Sequence, residues 1–163
     1  MMRRLASIAT AGILLAAPAL AASANLVDSK GRQIGRVELV QLPQAVLIRV
    51  EASGLPAGWH GLHLHRVGVC AGPDFRSADV HFDPENRRHG HGAEGGPHAG
   101  DLANLHAGAD GEARAEFLAV AFTLDRLLDS DGAALVIHAQ ADDYRSHPSG
   151  ESGDRIACAE LRK

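Results

Sequence analysis

Ala45-Val-Leu-Ile-Arg-Val-Glu51 alternates residue by residue. Val46, Ile48 and Val50 share one face, and Leu47, Arg49 and Glu51 share the other. This period of two belongs to a strand with one buried side and one mostly wet side. Gly35-Arg-Val-Glu-Leu-Val40 repeats the pattern upstream. Asp28-Ser-Lys-Gly31 and Asp110-Gly111 are turn signals, each between two strand-like runs. Ala113-Arg-Ala-Glu-Phe-Leu-Ala-Val120 and Ala133-Ala-Leu-Val-Ile-His138 read as further strands, with Asp129-Ser-Asp-Gly132 as a turn. Helical periodicity is scarce, and only Thr123 to Leu128 has room for one turn. Short strands with turns about every 8–12 residues predict an all-β sandwich or barrel. Aromatics make up only 4% of the chain, so the core must come from Val, Leu, Ile and Ala.

The first residues read as a leader and not as part of that fold. Arg3 and Arg4 form a basic start, and Leu5 to Leu20 is apolar with small residues. Ala19-Leu-Ala21 and Ala22-Ser-Ala24 each offer a small-x-small cleavage site, the pattern of a secretory signal peptide. The apolar stretch is short for a span of ~20 residues, and Pro18 interrupts it. The expected organisation is a signal peptide over residues 1–24, cleaved near 21–24, and one domain over residues 25–163. The chain carries 16 Lys and Arg against 20 Asp and Glu. Arg3 and Arg4 lie in the leader, so the processed balance is 14 against 20, a net charge of −6. No basic patch is present, which argues against nucleic acid as a partner. Two cysteines, Cys70 and Cys158, remain in an exported chain and suggest one disulfide.

One stretch does not read as strand. From Arg66 to Gly100 the chain is rich in Gly, Pro, His and charge. Loops longer than ~15 residues without their own structure are uncommon in compact domains, and the ordered ones are usually functional. This stretch carries His81, His89 and His98, with Asp101 just beyond. His63 and His65 precede it in Gly61-Leu-His-Leu-His65, where a spacing of two puts both rings on one strand face. His138 closes the set inside an apolar run. Six imidazoles and one carboxylate are more than one metal ion uses, so the pattern predicts two neighbouring sites. Thiolate-free histidine ligation suits copper(II) or zinc, and two histidines with an aspartate suit tetrahedral zinc. On ligand count, His81 serves both ions if its ring loses both protons. His60, His91, His106 and His147 read as solvated or structural, with His91 a competitor for zinc.

These residues resemble the Cu,Zn superoxide dismutase family in its bacterial exported branch, over nearly the whole processed chain. Gly61-Leu-His-Leu-His65 is similar to the family's copper-binding strand. His81 to Asp101 repeats the zinc-loop spacing of eight, nine and three residues. Gly100-Asp-Leu-Ala-Asn104, Val136-Ile-His-Ala-Gln-Ala-Asp-Asp143 and Gly153-Asp-Arg-Ile-Ala-Cys158 also match. The resemblance implies a Greek-key β-barrel or sandwich of about eight antiparallel strands with long metal-binding and active-site loops. It implies copper on His63, His65, His81 and His138, and zinc on His81, His89, His98 and Asp101, with His81 bridging. It implies that Asp142 links one ligand histidine at each metal, that Cys70 and Cys158 pair, and that Arg155 stands beside the copper channel. The activity implied is dismutation of superoxide to oxygen and hydrogen peroxide, with His81 and Arg155 as the catalytic residues, in antioxidant defence in the periplasm. A homodimer is compatible with the resemblance, and no membrane contact is expected once the leader is removed. Asp79-Val80 stands where the family has Gly-Gly or Gly-Pro, so a positive φ at that point would strain Val80. Leu62 replaces a common Phe, and Ala159 a frequent Gly. A copper- and zinc-storing module without turnover is the rival reading.

Overall fold

The protein is described by a computed structural model over residues 20–163, so the leader up to residue 19 lies outside the described residues. The strands are β1 (Ala21–Asp28), β2 (Gln33–Gln41), β3 (Val46–Ala52), β4 (Gly58–His60), β5 (Leu62–His65), β6 (Leu105–Ala107), β7 (Ala113–Ala119), β8 (Ala133–His138) and β9 (Arg155–Leu161). Seven of them form one curled antiparallel sheet in the order β5-β8-β9-β1-β2-β3-β7, and β4 pairs with β6 in a two-stranded ribbon. The only α-helical turn among the described residues is α1 (Leu124–Leu127). Thr123 caps it by accepting the Arg126 amide, as the sequence around Thr123 anticipates.

The alternation in β3 holds in detail. Val46, Ile48 and Val50 are buried, while Arg49 and Glu51 are exposed. On the wet face Arg49 lies opposite Glu116 of β7, with Nε 2.7 Å from the carboxylate. That exposed pair is worth a few tenths of a kcal/mol at most. Burial of Leu26, Leu39, Ile48, Leu64, Leu105, Leu135 and Ile137 does more, at about 1.5–3 kcal/mol per side chain. β8 departs from alternation because all six of its residues are buried. Ala133, Leu135 and Ile137 face the main core, and the Phe75 loop covers Ala134 and Val136 on the other face. Val136, Ala134, Phe75, Ala78 and Cys158 form a small separate core there.

Residues 66–100 contain almost no regular structure beyond a 3₁₀ turn at Arg76–Ala78. They are ordered because they dock on the free edge of β5. Phe82 donates to the Leu64 carbonyl, Leu64 to that of Gly100, and Arg66 to that of Val80. The strand edge and the loop thereby satisfy each other's backbone groups, which buried chain requires. The approach is so close that a Cβ on Gly100 would overlap the Leu64 carbonyl oxygen. Cys70 is bonded to Cys158 across 5.8 Å between Cα atoms, at a sequence separation of 88. β1 begins at Ala21, and Ala21 to Ala24 pair with Val37 to Val40. The expected leader therefore ends inside a paired strand.

Candidate metal centre

β5 and β8 lie side by side, with His63 opposite Val136 and His65 opposite Ala134. His63 and His65 project to one side of β5, as their spacing requires. His138 ends β8, and its amide donates to the Gly61 carbonyl at 2.9 Å. The three rings converge, with centroids 4.8 Å apart for His63 and His138, and 6.1 Å for His65 and His138. The loop brings His81 over them, stacked on His63 at 4.0 Å. His81 and Asp101 are themselves bridged to β5, opposite His65 and His63. Thus the same edge docking that orders the loop delivers its ligands.

The buried ring nitrogens show what the cluster is for. His63 Nε2 lies 2.7 Å from Asp142 Oδ2, His65 Nδ1 2.8 Å from the Asp79 carbonyl, and His138 Nδ1 3.1 Å from the Gly153 carbonyl. All three partners only accept, so each of these nitrogens carries the proton. The opposite nitrogens must then be bare lone pairs. They are His63 Nδ1, His65 Nε2 and His138 Nε2, all buried with no hydrogen-bond partner, as is His81 Nε2, whereas His89 Nδ1 stands 3.0 Å from Asp101 Oδ2. Orphaned buried polar atoms are costly in a native fold. Four in one cluster fit a cation, and the donor set fits copper(II) or zinc.

Two four-donor groups lie within reach of single ions: His63, His65, His81 and His138; and His63, His81, His89 and Asp101. His63 and His81 belong to both. His63 cannot serve two ions, because its Nε2 is committed to Asp142. His98 lies outside both groups but beside the second, with its Nδ1 3.3 Å from both His81 Nδ1 and Asp101 Oδ1. His81 is different, since its Nε2 is free and its Nδ1 stands 2.8 Å from Asp101 Oδ1.

Two carboxylates polarise the group. Asp142 spans it, holding His63 through Oδ2 and His89 through Oδ1 at 3.1 Å. Its own backbone is clamped by the Asn104 side chain in both directions. Asp101 accepts the amides of Gly90 and His98 and faces His81 and His89. Burial resists ionisation of both acids. Against that, hydrogen bonds from the histidines hold both well below the usual carboxylate range. The histidines split. Desolvation lowers His63 to about 3 and His138 to about 4, and pushes His65 and His81 down as well. His89 also feels desolvation, but Asp101 and Asp142 overcome it and raise the ring to about 9.

Arg155 lines a cleft of about 420 Å³ together with His81 and His138. Its guanidinium donates to the Phe75 and Asp79 carbonyls at 2.7 Å each. The Asp79 carbonyl therefore orients both His65 and Arg155. Asp79 adopts φ 64° and ψ −144°, close to a region held by glycine. The backbone strain expected at Val80 falls on Asp79 instead, at a cost of about 1–3 kcal/mol.

His60 was legible only as a spare ring, yet it is a brace. It is buried between the carbonyls of His138 and Pro56, at 2.8 and 2.7 Å. No local signal marks it, because its partner lies 78 residues away. His91 does not join the donor groups and instead contacts the Asp101 carbonyl at 3.2 Å. His147 accepts the His89 amide at 3.3 Å, and His106 packs edge-on against Trp59.

Residues 33–161 match the family model described as copper/zinc superoxide dismutase (SODC). Superoxide dismutase (Cu-Zn) 1 of Aquifex aeolicus is 43% identical over 145 residues, covering 85% of this chain and 86% of that protein. Superoxide dismutase (Cu-Zn) of Caulobacter vibrioides is 37% identical over 148 residues, covering 86% and 85%. Among solved structures, a double mutant of a SOD-like protein from Bacillus subtilis superposes with a TM-score of 0.84 at 40% identity, covering 86% of this chain and 97% of that one. The Cu/Zn superoxide dismutase of Brucella abortus gives a TM-score of 0.74 at 28% identity, covering 86% and 99%.

Proposed function

The chain belongs to the copper/zinc superoxide dismutase family, and on that premise we propose that it dismutes superoxide to oxygen and hydrogen peroxide. The observation that carries the reading is the set of four buried, unpartnered ring nitrogens on His63, His65, His81 and His138, whose rings lie within reach of one ion. His63, His65, His81 and His138 would hold copper, and His81, His89, His98 and Asp101 would hold zinc. His81 would be the shared ligand, with Nε2 toward copper and Nδ1 toward zinc. Bound copper supplies the one-electron couple that oxidises one superoxide and reduces the next, and bound zinc fixes His81.

The chain's own groups do the rest. Arg155 draws the anion into the cleft and hydrogen-bonds it beside His138. The Phe75 and Asp79 carbonyls hold that guanidinium in place. Burial lowers the Arg155 pKa but leaves an arginine charged at any working pH. His81 Nε2 takes a proton in one half-reaction and returns it to the reduced anion in the other. Asp142 keeps the His63 and His89 rings turned correctly, as second carboxylates do for metal-bound histidines.

Export to the periplasm is part of the same proposal, supported by the leader-like sequence over residues 1–24 and by the disulfide. Among the described residues no helix is long and apolar enough to cross a membrane. Cleavage after Ala21 preserves more of β1 than cleavage after Ala24, which would remove four paired residues. No nucleic acid or membrane is engaged in this reading, and a homodimer would show as doubled mass in sedimentation. The activity is tested by superoxide consumption on purified protein, with both metals counted before and after chelation. One copper and one zinc per chain with chelator-sensitive turnover is expected. Metal-loaded protein without turnover would select the storage reading.

A further inference from the structure

The cleft above the histidines is lined by three guanidiniums, and their surroundings differ. Arg155 sits deepest, against two carbonyls that leave its charge intact. Arg87 makes no ion pair among the described residues. Arg66 is tied to the Asp79 carboxylate, through Nε at 2.6 Å and through Nη2 to the same oxygen. The lining carboxylate, Asp83, accepts the Arg87 amide and faces His98 Nε2 at 3.9 Å.

Asp79 does not itself line the cleft but pairs with Arg66, which does. Its backbone conformation suits glycine, and the part of it that positions His65 and Arg155 is the carbonyl, which glycine also has. Its side chain touches neither ring nor Arg155, and its one hydrogen-bonding partner is Arg66. The strained side chain is therefore unnecessary for building the centre. What it changes is the charge at the mouth.

We propose that the Asp79–Arg66 pair sets the anion affinity of the cleft: the Asp79 carboxylate cancels Arg66 and so weakens the pull on small anions such as superoxide. The inference rests on the dismutase reading for its substrate, but the electrostatics it describes act on any small anion. Side-chain exposures of 59% for Arg66 and 39% for Asp79 leave each charge partly screened. One unit charge seen across about 10 Å of water changes an association constant about twofold.

The signature is a pair of opposite signs. Asp79→Asn removes the negative charge and keeps the side chain, so kcat/KM for superoxide should rise about twofold at low salt. Arg66→Gln leaves a bare carboxylate at the mouth and should lower it by a similar factor. The double variant should return near the parent. All differences should vanish near 1 M salt, where the Debye length is about 3 Å. Azide added to the copper(II), zinc-loaded protein and followed by optical titration gives the second readout. Its Kd should move about twofold down in Asp79→Asn and about twofold up in Arg66→Gln. Asp79→Gly also relaxes the backbone and should match Asp79→Asn if charge is the cause.

Two single variants that shift azide in the same direction, or a gain confined to Asp79→Gly, would overturn the proposal. Protein that shows the opposite azide shifts but no superoxide turnover would sink the activity reading and uphold the cleft electrostatics.

Discussion

His63, His65 and His138 hang from hydrogen-bonded strands, whereas His81, His89, His98 and Asp101 hang from a segment with almost no regular structure. The strand-borne rings are set by register, and burial, helped by the neighbouring rings and Arg155, keeps them neutral. The loop-borne ligands are set by other side chains, and the loop itself is pinned by the β5 edge and the disulfide. His89 sits between two carboxylates and is held as a cation when no metal competes. One half is thus ready for a cation as folded. The other must exchange a proton for one, and Asp142 couples the two.

The difference can be broken at either end. The largest expected effect is His138→Ala on the strand side. Superoxide consumption should fall to background while zinc content, counted by mass spectrometry of metals, stays at one per chain. Simultaneous loss of zinc would mean that the halves are not separable. On the loop side, Cys70→Ser removes the tie across 88 residues. In the loop-entropy model this costs about 4–5 kcal/mol, and denaturant unfolding of the metal-free protein would measure it. The metal-loaded variant should lose less, because the docked ligands replace part of the constraint.

Breaking the coupling comes next. Asp142→Ala should weaken both metals about 10–100-fold in chelator competition. Gly150→Ala should act in the same direction, because a Cβ there would overlap Asp142 Oδ1. Weakening of one metal alone would place Asp142 in a single site.

The smallest effect is also the sharpest contrast. Loaded singly onto the metal-free chain at pH 7, zinc should release about one proton, from His89, and copper almost none, while loading both should release a second, from the shared His81 ring. Calorimetry in buffers of different ionisation enthalpy reads this directly. The same shifts fix the pH profile of the metal-free chain. His63 and His138 are depressed from 6.5 to about 3 and about 4, so their contribution is present above pH 6.5 and lost as pH falls toward 4. His89 is raised to about 9, so its contribution is present below pH 6.5 and lost as pH rises through 9. Stability should peak near neutrality and decline on both sides, for reasons that lie in opposite halves.

Legibility divides along the same line. β2, β3 and β7 follow from alternation, because one face of each strand is wetter than the other, and β8 follows from its short apolar run. The histidines whose rings converge were legible because strand spacing and loop spacing are both written in the chain. What orients them was not. The Asp79 and Gly153 carbonyls are backbone atoms brought in by folding, and any residue type supplies a carbonyl. His60 reads as spare for the same reason. The positive φ at Asp79 was expected one residue later, since a missing glycine shows that the backbone is unusual but not which of two residues carries the turn. β4 and β6, three residues each, are too short for a period to show.

The central claim is that one ring, His81, is shared by two unlike cations. A crystal of the loaded protein, with anomalous maps on either side of the copper and zinc edges, tests it most directly. The account predicts two ions about 6 Å apart, the span of an imidazole with bonds of ~2 Å at each end, with Nε2 on copper and Nδ1 on zinc. Ions far apart, or a His81 ring that touches neither, would contradict it.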